Sequence, residues 1–86
     1  MFFGTRVVSA DSGEALLFND STFREYFGRS FDFTRDAVVV MNGDGSANGG
    51  YIGCSAYYSG SKNIWVGGSS ISRGPLRINY VVLLAD

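Results

Sequence analysis

The sequence predicts an all-β fold: a single small antiparallel β-sandwich or barrel of about seven or eight short strands. Short apolar or alternating runs recur at roughly ten-residue spacing. Clusters of Gly, Asn, Asp and Ser, the residues of turns, separate them. At 86 residues the chain has room for one hydrophobic core, so residues 1–86 read as one domain.

Gly4–Ser9 (GTRVVS) is β-prone and Ala10-Asp11-Ser12-Gly13 carries turn chemistry. With the apolar run Glu14–Phe18 behind it, residues 4–18 read as a hairpin. Asn19-Asp20-Ser21 punctuates the chain again; it fits a glycosylation sequon, which carries little weight without a secretion signal. Thr22–Phe27 (TFREYF) reads as strand or irregular extension, because Gly28 stops it within two turns. A single helical turn capped by Ser21 is the alternative. Arg29–Thr34 (RSFDFT) alternates strictly, with Phe31 and Phe33 opposite Ser30, Asp32 and Thr34, the pattern of a half-buried strand.

After Asp36, Ala37–Met41 (AVVVM) is a continuous β-branched run suited to a buried central strand. Asn42–Gly50 reads as the longest loop. Tyr51–Tyr58 reads as one strand that Gly53 weakens or bulges. Residues 59–63 turn the chain, Ile64–Val66 is a short strand, and Gly67–Gly74 is a second glycine-rich loop. Leu76–Ala85 (LRINYVVLLA) closes the list as the other central strand. Leu76, Ile78, Tyr80, Val82 and Leu84 share one face, and on the other Arg77 and Asn79 give way to Val81 and Leu83. Its second half therefore reads as buried on both faces. Pro75 stands just before it, where a missing N–H costs no ladder bond.

Composition bounds the function. One cysteine, Cys54, excludes an internal disulfide, and with no histidine a structural zinc site is not expected. A small domain without those aids is commonly stabilised by self-association. The apolar supply agrees: 45% of residues are hydrophobic and 17% charged. The aromatics exceed what so thin a core hides, and Tyr, Trp and Phe are enriched at interfaces. A net charge of −1 points to neither nucleic acid nor an acidic membrane surface. The N-terminal residues carry no signal-peptide pattern, and no apolar run approaches the ~20 residues of a membrane helix. Synthesis in a cytosol is the expectation.

Catalysis is not expected. The commonest general base is absent from the sequence, Cys54 has no evident activator, and Asp32 and Asp36 have no spacing that sets an acid beside a base. Asn42-x-Asp44-x-Ser46 begins like a calcium loop but then has Ala47 and Gly53 where such a loop needs Gly and Glu. No cofactor or metal is expected. Tyr51, Tyr57, Tyr58 and Trp65 on neighbouring strands could stack a sugar or an unpaired base; with only Lys62 basic between residues 36 and 72, the nucleic-acid version lacks a cationic groove. The candidate ligand or interface contacts are Tyr57, Tyr58, Trp65, Asn42, Asp44, Ile71 and Arg73. The last two come from the expectation that both glycine-rich loops are mobile until a partner covers them.

Gly4, Arg6, Val7, Asp11, Gly13, Leu16, Leu17 and Phe18 at the front, with Ile78 through Leu84 at the back, form a strand, an Asp-x-Gly turn, an apolar strand and a closing tyrosine-containing strand. Over about a third of its length the chain thereby resembles small all-β structural proteins encoded in the tail-gene region of tailed bacteriophages. The resemblance implies a non-enzymatic virion component, made in the host cytoplasm and held by copies of itself or other tail proteins. The alternative expectation is a β-module that recognises a surface carbohydrate through its aromatics.

Overall fold

A computed structural model of the chain describes residues 1–45, 50–52, 55–59, 62–69 and 71–86. Its elements run β1 Phe2–Asp11, β2 Glu14–Phe18, α1 Asp20–Phe27, β3 Ala37–Gly45, β4 Gly50–Ile52, β5 Ser55–Ser59, β6 Asn63–Gly67 and β7 Gly74–Leu83. The strands form one sheet in the order β4-β3-β7-β1-β2-β6-β5, and every pairing is antiparallel. The sheet curls until β3 meets β5, giving an all-β, barrel-like body with a seam between those two strands.

β7 is central, as its period-two pattern demands. It pairs with β1 from Phe2↔Val82 to Ala10↔Gly74 and with β3 on its other side. Its inward residues Leu76, Ile78, Tyr80 and Val82 are buried together with Leu17, Phe18, Phe23, Ile64 and Val66. Gly4 lies opposite Tyr80 in the register, and a Cβ there would run into the Tyr80 ring. Glycine thus lets that ring lie flat across β1. At the β1–β2 turn Asp11 pairs with Glu14, and Gly13 supplies the left-handed residue at φ +85°.

Residues 20–27 correct the first expectation: they are an α-helix. Asn19, not Ser21, caps it, its side chain accepting the Thr22 N–H at 2.7 Å. Gly28 ends it at φ 84°, its N–H donating to the Arg24 carbonyl, and Arg24 pairs with Asp20 one turn earlier at 3.2 Å. The aromatics of this segment dock the helix. Phe23 meets Phe18 edge to face at 5.6 Å, and Phe27 packs on both.

Residues 29–34 correct the second. They form no strand despite their alternation, because Asp32 turns the chain on itself. Its side chain accepts the Thr34 N–H and hydroxyl, and its carbonyl accepts the N–H groups of Arg35 and Asp36. Two further boundaries move. Residues 42–45 of the expected long loop are the end of β3, paired with β7 and β4. The single strand expected over Tyr51–Tyr58 is two, β4 and β5. Cys54 and residues 46–49 lie outside the described residues. β3 itself is next to the edge strand β4, and Val39 on its outer side stays 49% exposed.

Candidate functional site

Two surfaces stand out once the core is complete. The first is the seam between β3 and β5. A cleft of about 220 Å³ opens there, lined by Phe31, Phe33, Val38, Ala56, Tyr58 and Ile64. It adjoins a shallower hollow of about 480 Å³ whose rim includes Arg29, Arg35, Lys62 and Asp86. The turn at 29–36 supplies the cleft's aromatic wall. Phe33 stacks on Tyr58 with 5.3 Å between centroids, and Phe31 meets Tyr58 at 5.5 Å and Phe23 at 5.6 Å. A line of rings thus runs from the core to the surface, where Phe33 is exposed.

An ion pair fixes that wall. The Asp36 carboxylate, its side chain shut off from solvent, accepts both guanidinium nitrogens of Arg29 at 2.7 and 2.8 Å. It also accepts the Asp32 and Ala85 N–H groups, each at 2.8 Å, while Arg29 donates to the Ala85 carbonyl. Arg29 is the chief reason that the Asp36 carboxyl sits well below the ordinary carboxylate range; burial opposes the shift, and the Ala85 and Asp32 N–H groups add to it. Arg35 donates to the Asp86 carbonyl close by. The chain just after β7 is therefore bolted to the start of β3.

The second surface is the outward face of β3, β7 and β1. In the register Phe3, Val81 and Val39 form one row across the three strands, with Leu83 and Ala37 in the row beyond. Phe3 is 68% exposed, Val39 49% and Leu83 41%. A polar row follows, where Thr5 donates to the Asn79 side chain at 2.8 Å. The expectation that β7 is dry on both sides in its second half is met only on the inside.

The structure separates the residues picked from the sequence. Tyr58 and Tyr57 both border the cleft, but Tyr57 also stands across from Trp65 in the β5–β6 register, one residue out of step with Tyr58. Tyr57 donates to Glu14 at 3.1 Å, and its ring lies against Gly67, where a side chain would crowd it. The three aromatics make no single platform. Asn42 and Asp44 are on β3, in register with Asn79 and Arg77 of β7.

Ile71 corrects the loop expectation. It is buried in the core, and its carbonyl accepts the Gly13 N–H while its own N–H reaches Gly68. The loop therefore carries an anchor of its own within the subunit. Arg73 is exposed and paired with Asp11 at 3.1 Å. The patch of Phe3, Val39, Val81 and Leu83 was missed, though the signal was present. An apolar second face on the terminal strand calls for a cover that one small domain does not supply.

Among the described residues no three His, Cys, Asp or Glu side chains gather as metal ligands, and no helix is long and apolar enough to cross a membrane. Comparison with models of known families, with characterised proteins and with solved structures finds no match to the chain.

Proposed function

We propose that this chain is a non-enzymatic structural protein of a tailed-phage virion, a minor tail or tail-tip component that packs with itself or with other tail proteins. The phage assignment rests on the resemblance of its opening hairpin and closing strand. The assembly role rests on one observation: after the core is filled, Phe3, Val39 and Leu83 remain outside on one continuous sheet face. Contiguous exposed apolar surface on a small protein marks an interaction site. Sedimentation of the full chain at micromolar concentration tests it. The expected result is a species heavier than the 9.3 kDa monomer. A stable monomer at high micromolar concentration sinks the self-association reading.

The seam favours a second reading, carbohydrate recognition. An exposed ring, Phe33, lies over Tyr58 beside the cations Arg35 and Lys62, which suits a sugar ring bearing an acidic group. Saturable binding of one sugar class on a glycan array, abolished by Phe33→Ala, would put this reading first.

A further inference from the structure

We infer that β1 takes an extended acidic segment of a partner chain as an added strand, along the edge where β1 parts from β2, with the segment's carboxylate on Arg6. The inference rests on the assembly role proposed above and adds where a partner docks and what chemistry it must carry.

β1 lies inside the sheet order but is paired on both sides only at its end. On the β7 side the ladder runs from Phe2 to Ala10, whereas on the β2 side only Ala10 and Asp11 have partners. Asp11 and Glu14 flank a two-residue turn, which makes them a hydrogen-bonded pair and aims the Asp11 N–H and C=O at β2. Backbone groups alternate sides along a strand, so those of Phe3, Thr5 and Val7 point the same way. No strand among the described residues meets them there, because β2 leaves to pair with β6 and then runs into α1. Unpaired groups along an edge are a template for another strand. Phe3 and Val7 are exposed on the outer side of this edge, where alternate apolar side chains of an added strand would lie beside them.

The inner side of the same opening selects the partner's charge. Gly4 and Arg6 face inward there, opposite the buried Tyr80 and Ile78 of β7. The Arg6 guanidinium lies over the Phe18 and Tyr26 rings, at 4.9 and 5.2 Å, and Nη1 donates to the Tyr26 hydroxyl at 2.9 Å. Arg24, Arg29 and Arg73 each pair with a carboxylate; Arg6 meets none among the described residues, and its buried Nε has no acceptor. Tyr80 reaches across Gly4, and its hydroxyl makes no hydrogen bond among the described residues. Burial pushes that phenol up, and the nearby Arg6 charge works against the shift. The opening is thus lined by donors and holds a half-buried cation without its counter-charge. In an added strand the residue opposite Arg6 also faces inward, with its Cβ about 5 Å from that of Arg6. Glu or Asp at that place supplies the missing acceptor.

The test uses the full chain and the capped heptapeptide Thr-Val-Glu-Thr-Ser-Val-Thr, with a twin carrying Gln for Glu. Amide hydrogen exchange of the free chain should alternate along β1: Phe3, Thr5 and Val7 fast, Gly4, Arg6 and Val8 slow. The Glu peptide should bind saturably and protect the three fast amides. The Gln twin should bind at least about fivefold more weakly, and Arg6→Met should erase that difference. Thr5→Pro removes an N–H that β7 does not use, so circular dichroism should stay that of the wild type while peptide binding is lost. Uniform protection along β1 in the free chain, no binding of the Glu peptide, or equal binding of the twins overturns the inference. Loss of the fold in Thr5→Pro would put that N–H on the β7 side and overturn it as well. Sedimentation reads self-association separately. A monomeric wild type that takes the Glu peptide defeats self-association and keeps this inference; a heavier species that ignores the peptide does the reverse.

Discussion

The same three strands offer two apolar faces of opposite fate. Inward, Ile78, Tyr80 and Val82 of β7 are sealed beneath Phe18, Ile64 and Val66. Outward, one residue along in each case, Val81 and Leu83 stand with Phe3 and Val39 and no element of the chain lies across them among the described residues. The aromatic face of β6 and β5 differs again: Tyr57 is exposed, yet it has Glu14 for its hydroxyl and Gly67 beneath its ring. Exposure alone therefore says little. What distinguishes the end of the β3–β7–β1 face that carries Phe3, Val39, Val81 and Leu83 is that these side chains are aliphatic or phenyl, with no polar tip that water could satisfy.

The contrast is broken most sharply at neighbouring residues. Val82→Asp should abolish folding, since an unpaired carboxylate in the core costs several kcal/mol against a total stability of roughly 5–10. Val81→Asp, on the other side of the same strand, should fold. Thermal melts of the two variants at low concentration check this. Equal melting temperatures would mean that the inward and outward assignments of β7 are wrong.

A smaller effect is expected where the latch holds both faces in place. Asp36→Ala removes the acceptor for Arg29, Asp32 and Ala85, and should cost about 2–4 kcal/mol, read by urea denaturation. Because the Asp36 carboxyl is held below its unfolded value of ~3.9, its contribution is complete above that pH and is lost as the pH falls through the lower folded value. Wild-type stability should thus decline from about pH 4–5 downward, and the variant's curve should be flatter over the same range. Parallel curves would remove Asp36 from the account. Asp32, lowered mainly by Thr34, and Asp11, lowered mainly by the Ser12 N–H, titrate in the same direction and give the residual slope to expect in the variant.

Much of the fold was legible in the residues. A period-two pattern gave β7, short β-prone or apolar runs gave β1, β2 and β6, the Asp-x-Gly turn gave the first hairpin, and the single core followed from length. The sequence also determined that the end of β7 is apolar on both sides, that the chain has aromatics in surplus, and that it lacks histidine and a second cysteine. Those are properties of side-chain order and composition, and no packing alters them. Tertiary structure decided the rest wherever a local pattern was satisfied by something distant. Residues 20–27 are helical because Phe23 and Phe27 find Phe18, and the turn that Asp32 makes after residues 29–31 is held in place because Asp36 is bound by Arg29 and by Ala85, far along the chain. Ile71 anchors its loop because the β1–β2 turn offers Gly13. Which of two apolar faces is covered depends on what the curled sheet brings across from β2 and β6, and that is a property of closure, not of any one strand.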